Sequence, residues 1–163
     1  MAEKIHWVNA WIQVMDFRKK NPLIVDMWRQ HDHNFKCSVG EDYEVEIPSG
    51  RTLKFFDIRA ELDGVTCKTQ KGAKRRSYFY GANIFQNGIQ AMARDCFAEH
   101  MLELHKMGWD PVMHVHDELV LEVPTKDVKK ALRDVRKVMT TPPKWLKGLP
   151  LETDADVMDR YEK

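Results

Sequence analysis

The segment from Val112 to Val123 restricts the fold more than any other. Val112–His116 and Leu119–Val123 are two β-rich runs separated by Asp117-Glu118, with Pro124 closing the second. This pattern folds as a hairpin with its bend at the acids. Two adjacent acids at the bend of an otherwise apolar hairpin are costly to hold close together unless a positive group meets them, and Mg²⁺ with substrate phosphates is the common solution. The plainer alternative is a pair of turn residues facing water. One hairpin does not complete a dinuclear site, because Mg²⁺ takes octahedral oxygen ligation and bridging carboxylates must come from elsewhere.

The rest of the chain reads as cover for that hairpin. Residues 4–36 carry Val8, Trp11, Ile12 and Met15, then Ile24, Met27, Trp28 and His31, at three- and four-residue steps, which predicts two helices joined or kinked at Pro22. Tyr43–Ile47 alternates at period two, Pro48-Ser49-Gly50 supplies a turn, and an apolar run resumes at Leu53, so residues 43–59 predict a hairpin. Residues 66–78 form a basic loop holding Lys68, Lys71, Lys74, Arg75 and Arg76. Residues 83–107 give the longest helical pattern, ended by Gly108-Trp109-Asp110-Pro111, and Thr125 is placed to cap a further helix through Val138. The expected class is α/β in the α+β sense: a small antiparallel sheet with the acid hairpin, packed against helices.

A chain of 163 residues with 43% hydrophobic content can build one core. Its 26 basic and 25 acidic side chains leave a net charge of +1, so any contact with nucleic acid must come from local clusters. Cys37, Cys67 and Cys96 are odd in number and show no CxxC spacing, against a disulfide framework or a zinc ribbon. No run suits a signal peptide or a membrane span, so a soluble, cytoplasmic protein without a membrane partner is expected.

His116-Asp117-Glu118-Leu119-Val120-Leu121-Glu122-Val123 resembles the motif C hairpin of family A DNA polymerases, the DNA polymerase I group. The resemblance implies that Asp117 is a catalytic metal ligand, Glu118 an auxiliary acid beside the metals and His116 a contact to the primer end. Host cytoplasm is the implied location for a phage-encoded member. Tyr80-Gly81 and Asn87–Asp95 resemble the palm helix that precedes motif C, especially in phage members, where a glutamine is followed by a small residue and, five positions on, an aspartate; Gln90 and Asp95 match. In that family this glutamine reads minor-groove acceptors near the primer terminus, which is the role the resemblance implies for Gln90. Asn83, Asn87, Gln90 and Arg94 also fall in one narrow helical stripe, opposite most of the apolar face. The sequence departs from the cellular enzymes at Gln86, where they usually place asparagine. Phe17–Ile24 with Trp28 resembles the helix after the fingers, Pro48-Ser49-Gly50-Arg51 the GR-containing turn before the palm helix, and Gly148–Leu151 with Arg160-Tyr161 the closing strand and tail. Contacts with primer-template DNA are thereby implied for Gln90, Asn87, Asn83, Gln86, Arg94 and Arg51, and phosphate positioning for Lys71, Lys74, Arg75 and Arg76.

Motif A, with its aspartate in a DYS-like context, and motif B, with its triphosphate-gripping arginine and lysine, are absent from this sequence. Asp42-Tyr43-Glu44 lies in the wrong order to replace the first. No segment before Phe17 is long enough to hold the fingers, so a palm subunit or fragment is expected, contributing part of a two-Mg²⁺ site and inactive alone. A separately encoded partner would carry the fingers and motif A. The face left uncovered, including Trp7, Trp11 and Trp28 unless core burial claims them, would favour a homodimer in isolation. An inactive remnant serving as a DNA-binding or protein-interaction module is the alternative. A zinc hydrolase built on His114 and His116 lacks further ligands, since His31 and His33 point apart on a helix.

Overall fold

The structure, a computed structural model, describes residues 7–161, with side chains described from Ala10 onward. The expected helical start at residues 4–6 and the side chain of Trp7 lie outside this range. The described residues form two compact units, one holding the chain up to Ile47 with Thr52–Ile89, the other Pro48–Arg51 with Gln90 onward. The class is the expected one, mixed helix and strand with a small antiparallel sheet packed against helices.

In the first unit, α1 (Trp7–Lys20) and α2 (Pro22–Cys37) meet at Asn21. The Asn21 amide donates from Nδ2 to the Phe17 carbonyl at 2.8 Å, and Pro22 opens α2 at a position where a missing N–H costs nothing. Four antiparallel strands follow in the order β1 (Tyr43–Glu46), β2 (Thr52–Glu61), β3 (Gly64–Lys68), β4 (Ser77–Tyr78). The first hairpin is the expected one, with Tyr43 opposite Phe55 and Glu46 opposite Thr52. The sheet goes further than the sequence pattern suggested: β2 continues to Glu61 and turns back through Leu62-Asp63 into Gly64, whose φ of 146° suits glycine alone. The basic stretch therefore begins inside β3 and ends at β4.

Phe35 from α2, Phe55 and Ile58 from β2, Cys67 from β3 and Ile84 from the helix that follows are all buried, with Tyr43, Val45, Leu53, Val65 and Phe79 around them. Phe55 meets Phe35 and Phe79 edge to face at 6.1 and 5.5 Å between ring centres, the arrangement the ring quadrupoles favour. That last helix, α3 (Gly81–Lys106), starts against the backbone of α2. A Cβ on Gly81 would stand 1.8 Å from the Trp28 carbonyl oxygen, so only glycine permits the contact. Asp32 accepts the Gly81 N–H at 3.1 Å, and Asn83 reaches back to the Tyr80 N–H at 3.3 Å, so two otherwise orphaned donors at the helix start are satisfied.

In the second unit, α3 ends where Gly108 adopts φ 85°: its N–H bonds the His105 carbonyl at 2.9 Å while Trp109 N–H bonds Leu104 at 2.9 Å. This paired return is the Schellman stop. It delivers Trp109 to α4 (Val128–Met139), where the indole N–H donates to Asp134 at 3.1 Å and Lys130 lies 5.0 Å above the ring. Cys96, Phe97, His100 and Leu104 of α3 are buried, as are Ala131 and Val138 of α4. His100 donates from Nε2 to the Thr141 carbonyl at 2.9 Å, and Trp145 donates to Glu99 at 2.6 Å. Thr125 does not cap α4; residues Thr125–Asp127 form a single 3₁₀ turn, and Asp127 precedes the helix without a side-chain capping bond. Residues 149–151 form no strand.

Candidate functional site

The acid hairpin consists of β5 (Pro111–Val115) and β6 (Glu118–Leu121), with Val115 opposite Glu118. The bend is thus His116-Asp117, one residue earlier than the sequence pattern placed it, and Glu118 opens β6. A two-residue hairpin turn requires positive φ at its first position; His116 supplies it at 55°, and histidine enters that region more readily than most residues. Left-handed non-glycine backbone stores strain that surrounding structure must hold, and such positions gather at functional sites.

His116, Asp117 and Glu118 are all exposed. Tyr161 donates its hydroxyl to Glu118 Oε2 at 3.3 Å, bringing the tail to the hairpin tip. His114 meets Phe97 edge to face, 6.4 Å between ring centres, which seats β5 on α3. His114 and His116 therefore do different things, one on a strand and one in the turn. His31 contacts the Tyr43 hydroxyl at 3.2 Å and His33 the Cys37 thiol at 3.7 Å, so these histidines have local partners. Among the described residues no group of three or more His, Cys, Asp or Glu side chains gathers into a metal-binding set.

Gln90 and Arg94 are exposed on α3, as is Gln86; Asn83 and Asn87 are half-buried, and the Asn83 carbonyl oxygen is occupied at the helix start. Arg51 and Ser49 form a bracket on α3 that the sequence did not reveal. Ser49 donates to Asp95 Oδ2 at 2.5 Å, Arg51 reaches the same carboxylate at 2.9 Å, and a further Arg51 N–H meets the Ala91 carbonyl at 2.9 Å. Asp95 thus holds the Pro48–Arg51 turn, and the Arg51 guanidinium reaches solvent from a fixed position. Serine and arginine flanking a glycine turn, with one aspartate left over on the helix, were the only available signal.

The basic stretch divides in two. Lys71, Lys74 and Arg75 are exposed. Arg76 is committed, with one N–H on Asp57 Oδ2 at 2.7 Å, another on Thr66 Oγ1 at 3.1 Å and others on the Asp57 and Thr66 carbonyls. Asp57 sits in a β-bulge, where pairing slips between Phe56 and Arg59, with φ 53°. Lys68 foremost, then Arg59, hold its carboxyl below the usual carboxylate range, with Arg76 adding to the effect. The bulge has re-aimed this one acid into a ring of cations.

Fold and site together define an α+β chain that presents two adjacent carboxylates at the tip of a hairpin, Asp117 in its turn and Glu118 at the start of β6, with the hairpin seated on a long helix that exposes amide and guanidinium groups. The chain is 41% identical over 142 residues to a DNA polymerase of Bacillus phage SP02, an alignment covering 82% of this chain and 22% of that polymerase. The chain thus spans about a fifth of the length of this curated relative. No family model matches it, and no solved structure matches. Among the described residues no helix is long and apolar enough to cross a membrane.

Proposed function

We propose that this chain is the palm portion of a family A DNA polymerase that carries motif C, acting in template-directed nucleotidyl transfer with a polypeptide bearing the fingers and motif A. The observation that carries the reading is the match to a phage DNA polymerase over most of this chain, together with His116-Asp117-Glu118 at a hairpin turn.

In this reading Asp117 and Glu118 supply hard carboxylate oxygens of the kind Mg²⁺ takes. The donor set is partial, since no third ligand joins them among the described residues; the remainder belongs to motif A and to the substrates. Asp117 and Glu118 would hold their share of a Mg²⁺ pair, whose charge would stabilise the attacking 3′-oxygen and the leaving pyrophosphate. The chain's own work is to hold these groups in place. The turn fixes Asp117 at the tip, Tyr161 orients Glu118, and the Phe97–His114 contact sets the hairpin on α3. Gln90, with Asn87, Gln86 and Arg94 along the same helix, offers donors for minor-groove acceptors, which every correct base pair presents. Asn83 serves that face through its NH₂ alone. Lys71, Lys74 and Arg75 meet phosphates, as does Arg51 from the position Asp95 gives it, whereas Arg76, with its N–H groups on Asp57 and Thr66, braces the base of the loop.

The test is primer extension by this chain mixed with a polypeptide carrying fingers and motif A, in Mg²⁺ and deoxynucleotides. Extension is expected, with Asp117→Asn reducing it to background while leaving duplex binding intact. Extension by the mixture that is unchanged in Asp117→Asn would overturn the reading in favour of an inactive DNA-binding module.

A further inference from the structure

Helix α1 is unlike the other helices: every side chain from Ala10 to Lys20 is exposed, including Trp11 at 60%, Ile12, Val14, Met15 and Phe17, and α2 adds Leu23 at 78% and Met27. Soluble chains rarely leave so many large apolar side chains together unless another surface covers them. Beside them, wholly within the first unit, lies a cleft of about 680 Å³ lined by Val14, Phe17, Arg18, Trp28, Arg29 and Tyr80. Phe17 and Trp28 form its aromatic wall, stacked at 6.2 Å with 19° between their planes. The Trp28 indole Nε1 is itself buried without a hydrogen-bond partner, a cost this wall carries as it stands.

The charge at this face has a sign. Arg18, Lys19 and Lys20 fill the last turn of α1 against one acid on the exposed stretch of that helix, Asp16, so the cations outnumber it three to one. Asp32 is already engaged by Lys36 at 2.7 Å and by the Gly81 N–H, and Asp26 by Arg29 at 3.1 Å. An occupant therefore needs an apolar face and acidic flanks. A second copy of this chain fits poorly, because it would bring its own basic turn to the same face. The relative offers another source, since most of that polymerase lies outside the region aligned with this chain.

We infer that the α1–α2 face is the seat of an apolar, acid-flanked helix from the remainder of the polymerase, which inserts over the Phe17–Trp28 wall with a carboxylate on Arg18. This rests on the polymerase reading and names the partner that completes it.

The probe is a polypeptide comprising the part of the SP02 phage polymerase outside its aligned region, titrated into the full chain by calorimetry, with masses by light scattering. A one-to-one complex is expected. Trp11→Glu and Leu23→Glu, both at exposed positions that folding does not need, should weaken it by about tenfold or more, and Arg18→Glu should weaken it in a salt-dependent way. Wild-type affinity in all three variants, or no complex with the parent chain, overturns the inference. So does loss of single-stranded oligonucleotide binding in these variants with the protein complex intact, which would make the face a template channel. So does a parent homodimer abolished by Trp11→Glu, which would make it a self-interface. Primer extension by the same mixtures separates the two proposals: extension with unaffected assembly in the variants sinks the docking face alone, whereas assembly through this face without extension sinks the polymerase reading alone.

Discussion

Replacing Gly81 by alanine tests the packing of α3 on α2 with one methyl group. The added Cβ would lie 1.8 Å from the Trp28 oxygen and 2.7 Å from the Asp32 nitrogen, both backbone atoms that no rotamer change can move. Restoring an ordinary approach of 3.4 Å or more requires the backbones to part by roughly 1.6 Å at that point. Overpacking of this kind costs about 1–3 kcal/mol. The Gly81 N–H bond to Asp32, now 3.1 Å, stretches out of range, which adds about 0.5–1 kcal/mol for a partly exposed pair. Alanine returns less than the ~1 kcal/mol it gives in a helix interior, because position 81 opens the helix. The net loss is about 2–3 kcal/mol, or roughly 5–10 °C in melting temperature for a chain of this size. Gly88→Ala is the matched control: its Cβ would stand 3.9 Å from Ile47 Cγ2, an ordinary contact, so the variant should gain about 0.5–1 kcal/mol. Thermal melts and urea midpoints followed by circular dichroism measure both. A Gly81→Ala melt within about 2 °C of the parent, or a larger loss for Gly88→Ala than for Gly81→Ala, refutes the argument.

Two further outcomes follow from ionisable groups. Burial raises the Asp32 carboxyl, but Lys36 and the Gly81 N–H outweigh it and hold the pKa below the ordinary value. Its stabilising contribution is therefore complete above the unfolded value near 4 and fades as pH falls through the lower folded value. Urea midpoints between pH 3 and 7 should fall less steeply in Asp32→Asn, and an identical slope would refute the linkage. The Cys67 thiol is pushed up to about 11 by burial, which Arg76 only partly offsets, and burial also raises Cys96, with Glu99 contributing. At pH 8 the native chain should thus react quickly with a disulfide reagent only at exposed Cys37, while the unfolded chain reacts at all three cysteines; rapid modification of Cys67 in the native state would contradict this.

The elements with strong periodicity were legible from sequence alone. The breaks at Pro22 and Gly108 and the alternation from Tyr43 to Ile47 placed α1, α2, α3 and the first hairpin. What escaped depends on pairing, which composition does not encode. Val65-Thr66-Cys67-Lys68 carries too short a pattern to announce β3, and neither Asp57 nor His116 advertises its left-handed backbone. The spread of cations from Lys68 to Arg76 gave no sign that Lys68 and Arg76 are tied to Asp57 while Lys71, Lys74 and Arg75 stay in water. At the site, the residue types at the hairpin were readable and the bend was misplaced by one position, because a two-residue turn is decided by which residue accepts positive φ. Asn83, Arg51 and Asp95 were visible as polar residues on the right elements. Their use as cap and bracket appears only in three dimensions.

The hairpin that carries Asp117 and Glu118 is a sheet of two strands, whereas the first unit has four. Two strands alone are marginal in water, so the amide protons of β5 and β6 are expected to exchange by local opening well before those of β2 and β3. The placement of the acids is then borrowed from α3 through the Phe97–His114 contact and from the tail through Tyr161. Whatever stiffens those two supports sharpens the tip, and whatever loosens them blurs it, without any change to the carboxylates themselves.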